Sequence, residues 1–91
     1  MKIEFDPVKS QKNAVERDLP YEMVSGFAWE TALIYPDERF LYPELRYAAL
    51  GFMGMRLHFL CYTPITEGVR VISFRKANGR ELKHYEETYH Q

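Results

Sequence analysis

Apolar positions along this chain change their spacing three times, and each change marks a structural boundary. Lys2 to Phe5 alternates polar and apolar, with Ile3 and Phe5 on one side, the signature of a short edge strand. Asp6-Pro7 reads as a helix start: Asp6 can cap free amides, and Pro7 at the first helical position has no amide to lose. The spacing then predicts a mostly polar helix to about Arg17, with a thin apolar stripe at Val8, Val15 and Leu19, broken at Asp18-Leu19-Pro20. A second short helix follows, with Met23, Val24 and Phe27 as its buried stripe. Thr31 to Tyr35 reads as a strand ended by Pro36-Asp37-Glu38, and Phe40–Leu45 as an irregular loop. Three apolar runs, Arg46–Met53, Arg56–Thr63 and Val69–Lys76, are joined by a Gly54 turn and by Pro64–Gly68, which makes an antiparallel meander. Asn78–Tyr89 opens with Asn-x-x-Glu, a capping-box variant, and spaces Leu82, Tyr85 and Tyr89 helically. The expected order is β-α-α-β-β-β-β-α: an α+β fold with a single antiparallel sheet packed by N-terminal helices and a C-terminal helix.

Strand alternation sorts the side chains. In the last run Arg70, Ile72, Phe74 and Lys76 share one face, and Val69, Val71, Ser73 and Arg75 the other. In the middle run Arg56, His58, Leu60 and Tyr62 oppose Leu57, Phe59, Cys61 and Thr63. Both faces are apolar at mid-strand, so helices should cover part of each. An arginine on such a strand belongs at the rim or in a pair, and Glu44 and Glu67 are the expected partners for Arg70.

Length adds that 91 residues form a single domain spanning 1–91. One cysteine, Cys61, excludes an intrachain disulfide and should be a buried, inert thiol. No apolar run approaches a membrane span, and Met1-Lys2-Ile3-Glu4 is not a signal peptide, so the expected location is the cytoplasm with no membrane partner. The net charge of −1 hides an asymmetry. Up to Leu45 there are five basic and nine acidic residues; from Arg46 there are seven and four, and residues 69–83 hold five basic to one acidic. Such a stretch is either a solvated face or a phosphate-binding surface, because the local field decides.

The catalytic inventory is narrow. His58, His84 and His90 show no metal-ligand spacing; His58 on a strand reads as a satisfied structural residue and His90 sits at the chain end. Ser10, Ser25 and Ser73 have no evident triad partners, no glycine-rich phosphate loop occurs, and no metal or cofactor is expected. What remains is Arg, Lys, Glu and Tyr. That set suits RNA cleavage by the neighbouring 2′-hydroxyl, where the substrate supplies the nucleophile. Guanidinium groups then stabilise the phosphorane while modest acids and bases move protons. In sequence such a site looks the same as a salt-bridged surface.

Several segments go further. Phe5-Asp6-Pro7-Val8-Lys9 with Asn13 resembles the F/W-D-x-x-K-x-x-x-N signature of the BrnT family of type II toxin–antitoxin toxins. Pro36-Asp37-Glu38-Arg39 and Tyr42-Pro43-Glu44-Leu45-Arg46 resemble its D-x-R and Y-x-E-x-R segments, and Gly51 fits its A-x-G. Val69 to Ala77 resembles its I-R-I-I-S-A-R-K-A block, followed by Arg80-Glu81 and Tyr85. The resemblance implies a RelE-like fold and a metal-independent ribonuclease that inhibits translation. It also implies neutralisation by a cognate ribbon-helix-helix antitoxin, with operator DNA contacted only through that antitoxin. By that carry-over the catalytic candidates are Glu44, Arg46, Arg70 and Arg75, and the RNA-binding candidates Lys76, Arg80 and Tyr85. Arg56 joins the latter on its charge and strand-end position alone. A neutralising partner would be acidic and could anchor on Tyr42, Tyr47 or Trp29, although a lone tryptophan such as Trp29 reads first as core. One segment departs: where the family reads N-x-x-K-H-G, this chain has Glu16, Arg17 and Asp18 in place of Lys, His and Gly. If that Lys or His is catalytic, the chain either uses Arg17 instead or is a degenerate module that binds an antitoxin-like protein or RNA without cleaving it.

Overall fold

The computed structural model describes residues 1–89. Its elements run β1 (Lys2–Glu4), α1 (Pro7–Arg17), two 3₁₀ turns (Tyr21–Gly26 and Trp29–Thr31), β2 (Leu33–Pro36), β3 (Tyr47–Met53), β4 (Arg56–Ile65), β5 (Gly68–Lys76) and α2 (Gly79–Tyr89). They make an α+β fold around one five-stranded sheet of order β1-β5-β4-β3-β2. The sheet is mixed rather than wholly antiparallel, because β1 pairs parallel to β5, Lys2 beside Gly68 and Glu4 beside Arg70. No hairpin ties these two strands, so nothing imposes antiparallel pairing on them.

The α1 boundaries follow from local chemistry. The Asp6 carboxylate accepts from the Val8 amide at 2.9 Å, and Asp18 ends the helix in the left-handed region at φ 58°. Ser10, not the expected valines, is the buried residue of this helix; Val8 and Val15 are each 76% exposed. The helix is held instead by polar ties, Ser10 Oγ accepting the Tyr21 amide at 2.8 Å and Asn13 Nδ2 donating to the carbonyls of Leu19 and Phe74. Phe74 O lies on the part of β5 beyond the reach of three-residue β1, so Asn13 satisfies an edge that no strand pairs. The expected second helix is a 3₁₀ turn. Only six residues separate Pro20 from Phe27, and that turn still buries Val24 completely and seats Phe27 in the core, with Met23 left 39% exposed.

Both sheet faces are covered. One packs Leu19, Val24, Phe27, Ala49, Leu60, Val71 and Phe74 under α1 and the 3₁₀ turns. Trp29 joins its edge, stacked edge-on against Phe27 and Tyr62, as expected for a core tryptophan. Gly51 is part of this arrangement, since a Cβ there would lie 2.5 Å from the Phe27 ring. The other face packs Ala48, Leu50, Leu57, Phe59, Cys61 and Tyr85 under α2. The β4 alternation matches expectation, but β5 does not keep phase. Cys61 pairs with Ser73 and Tyr62 with Val71, leaving Ile72 as the extra residue of a β-bulge. Beyond it the faces exchange: Phe74 lies in the same core as Val69 and Val71, while Arg75 rises on the α2 face over Phe59.

Candidate functional site

The bulge delivers Arg75 to a cluster of guanidinium–carboxylate pairs at the margin of the α2 face. Arg75 binds Glu81 through both terminal nitrogens, at 2.8 and 2.9 Å, with its guanidinium 4.3 Å from the Phe59 ring centre. Glu81 is also the third residue of the α2 capping box: its Oε1 accepts the Asn78 amide at 2.9 Å while Asn78 Oδ1 accepts the Glu81 amide at 2.8 Å. One carboxylate thus starts the helix and aims the arginine. Burial pushes the Glu81 carboxyl up, but the bonds from Arg75 and the Asn78 amide outweigh it and hold it below the ordinary range.

Across a cleft of about 230 Å³ from this pair stands a second one. Asp37 follows Pro36 at the end of β2, its amide bound to the Arg46 carbonyl at 2.8 Å and its carboxylate bidentate to Arg39 at 2.8 Å on each oxygen. The Arg39 bonds pull Asp37, a buried carboxylate, down to about 2. Its other neighbour is Cys61, whose Sγ lies 3.6 Å from Oδ2; burial and this negative charge push the thiol up to about 11, in keeping with an inert cysteine. Tyr35 also faces the cleft, and burial, then the Glu81 charge, raises its phenol.

The third pair closes the outer loop. Glu44 and Arg46 are two apart, and Glu44 Oε1 accepts from Arg46 Nε at 3.0 Å with an Arg46 terminal nitrogen 2.9 Å away. The Arg46 guanidinium lies 4.0 Å from the Tyr42 ring centre. Asp37 and Arg39 wall both the cleft and a larger cavity of about 470 Å³ framed by residues 36–47, so the two hollows adjoin along this segment. Three arginines and three carboxylates therefore line this double depression.

Of the candidates from sequence, Glu44 and Arg46 line the larger cavity and Arg75 the adjoining cleft. Arg70 stands apart at the β1 edge, bound to Glu4 at 2.9 Å rather than to Glu44 or Glu67; that bond and the Arg70 charge lower the Glu4 carboxyl. Arg56 lies at the opposite end of β4 and donates to the Ala77 carbonyl at 3.2 Å. Lys76 pairs in register with His58 on the other sheet face, and Arg80 is exposed on the first turn of α2. Tyr85 is buried in the α2-side core with its hydroxyl donated to the Thr31 carbonyl at 2.9 Å, which accounts for its place in the pattern by packing. His58 is buried beside Phe74 with Nδ1 2.8 Å from the Arg56 carbonyl; burial lowers its pKa, and its role is structural. His90 lies outside the described residues. Sequence reasoning passed over Asp37, Arg39 and Glu81 as site residues. The signal for the first two was Asp37-Glu38-Arg39 directly after a strand-ending proline, a place where an aspartate folds back on the residues that follow it, as its contact with the Arg39 amide shows.

The departing segment also has a place. Asp18 occupies a left-handed position, which is why glycine suits it in the family pattern; that difference concerns backbone, not chemistry. Arg17 lines a small hollow with Asn13, Ser73 and Arg75 at the β5 edge, and Glu16 is exposed.

A family model described as the ribonuclease toxin BrnT of type II toxin–antitoxin systems matches residues 5–81. No curated protein and no solved structure matches the chain. The matched span contains every residue of the three charge pairs.

Proposed function

The chain belongs to the BrnT family, ribonuclease toxins of type II toxin–antitoxin systems with an antitoxin as partner, and from that premise we propose that it cleaves RNA in the depression lined by Arg46, Arg39 and Arg75. The observation that carries this reading is Arg75, held by Glu81 from one side and Phe59 beneath, its orientation fixed before any ligand arrives. A guanidinium has five donors, so one engaged by a carboxylate still presents N–H groups to a phosphate. Arg75 and Arg46 receive the phosphoryl oxygens and stabilise the phosphorane. Glu44 accepts the proton of the attacking 2′-hydroxyl; as the 2′-oxygen bonds to phosphorus the P–O5′ bond breaks, leaving a 2′,3′-cyclic phosphate and a 5′-oxygen that takes its proton from water. Arg17 at the β5 edge and Arg70, Arg56, Lys76 and Arg80 further out hold flanking phosphates.

The nucleophile comes from the substrate, and each carboxylate is bound to its own arginine rather than converging with the others on one point. The reaction therefore runs without a metal. The whole chain acts as one domain in the cytoplasm, in the manner of RelE-like toxins that inhibit translation. An acidic antitoxin of ribbon-helix-helix type covers the depression and carries the pair to operator DNA. Expression of the chain alone should arrest growth, and the purified protein should cut RNA in the presence of EDTA. Arg75→Ala should relieve the arrest and slow cleavage by roughly 10²–10³-fold while leaving thermal unfolding nearly unchanged; intact RNA after incubation with wild-type protein would refute the reading. Intact RNA with tight antitoxin binding would establish the non-cleaving module instead, the alternative that Glu16 and Arg17 raise.

A further inference from the structure

The 38–45 loop carries three exposed apolar side chains: Phe40 is 70% exposed, Leu41 fully so and Leu45 72%. Isolated exposed leucines need no explanation, but an exposed phenylalanine ring on the lip of a cavity does. Phe40 stands edge-on to Tyr42 with ring centres 5.9 Å apart, and Tyr42 carries the Arg46 guanidinium on its face. Phe40 therefore ends an aromatic–aromatic–guanidinium series with most of its ring in solvent. Its cavity of about 470 Å³ is of the size class that holds a small planar ligand, and it shares its Pro36–Arg39 wall with the cleft where Arg75 sits.

We propose that the 38–46 loop is a base-stacking subsite, in which the exposed ring of Phe40 takes one unpaired nucleobase of an RNA strand whose adjacent phosphate lies on Arg46. This rests on the ribonuclease reading and adds a substrate class to it, single-stranded RNA. Bases in a duplex are stacked on each other and cannot reach such a ring, whereas a splayed base gains a partner on Phe40. The aromatic pair and the stacked guanidinium favour a base over a protein segment. A protein segment would use the neighbouring aliphatic side chains, Leu41 and Leu45, at least as much.

The test is binding of a short single-stranded RNA with every 2′-hydroxyl methylated, which its own 2′-oxygen cannot cut, measured by fluorescence anisotropy beside a duplex of the same sequence. Phe40→Ala should weaken binding of the single strand about tenfold and leave the duplex unaffected, Phe40→Trp should restore it, and Leu41→Ser should change neither. The side chain is exposed, so these variants should fold as the wild type does. If Phe40→Ala binds the single strand like wild type while Arg75→Ala binds it poorly, the loop is not a base subsite although the ribonuclease reading stands. If Leu41→Ser weakens binding as much as Phe40→Ala, apolar area and not stacking is at work, and the proposal fails. If the wild-type protein binds neither probe and cuts no RNA, the ribonuclease reading falls and takes the subsite with it.

Discussion

Under α1 and the 3₁₀ turns, the sheet buries Val24 and Leu60 completely and closes its margin with the Phe27–Trp29–Tyr62 aromatic series. Under α2 the same strands bury Leu50 and Phe59, but the margin is made of arginines bound to carboxylates. The difference lies in what covers each face. The first has α1, two turns and the Asn13 tie to β5; the second has one helix of eleven residues, too short to reach the ends of ten-residue β4. Arg75 on β5 meets water there paired with Glu81 from α2, and the 37–46 loop adds the other two pairs. The second face therefore carries a charged rim that the first lacks.

Substitutions can separate the two. Leu60→Ala, at the centre of the closed face, should cost about 2–5 kcal/mol in chemical denaturation and lower cleavage only through lost folded protein. Arg75→Ala should do the opposite, reducing the cleavage rate constant by roughly 10²–10³-fold with a small change in unfolding midpoint. Glu81→Ala tests the shared carboxylate. It should destabilise α2 by about 1 kcal/mol and also slow cleavage, whereas Asn78→Ala should cost a similar stability with cleavage retained. If both variants keep full activity, Glu81 does not position Arg75.

A smaller effect concerns pH. Asp37 has its folded pKa depressed to about 2 from an ordinary 3.8, so its pairing stabilises the fold above pH 4 and is lost as pH falls towards 2. Asp37→Asn should flatten the stability curve in that window. His58 is also depressed, by burial, and for a base this means the unfolded chain protonates first. Stability should begin to fall as pH drops below about 6.5, and His58→Gln should remove that onset. Smallest of all, Val15→Ser on the solvent side of α1 should shift stability by no more than about 0.5 kcal/mol.

What the sequence made legible was what local chemistry decides. The Asp6-Pro7 start, the Asn78–Glu81 box and the β4 alternation each depend on residues a few positions apart, and each stands where expected. Three features escaped because distant partners decide them. Arg70 found Glu4, 66 residues away, on a strand whose parallel pairing no local signal fixes. Val8 and Val15 have helical spacing suited to burial, but the Ser10 and Asn13 bonds rotate α1 so that both face water. The arginines carried by the family pattern were visible as residues, while their grouping was not, because it depends on Ile72 stepping out of register.

That step has a consequence for how this strand tolerates change. A strand of uniform phase can trade any inward residue for another of similar size, yet β5 is two short strands in opposite phase joined at Ile72–Ser73. Loss of Ile72 would return β5 to plain alternation with Phe74 and Arg75 still on their present faces, because Val71 and Ser73 already pair with neighbouring residues of β4. Loss of a residue beyond the bulge, with the bulge kept, would instead exchange the faces of everything that follows it. The bulge is thus a place where the strand can change length without moving Arg75.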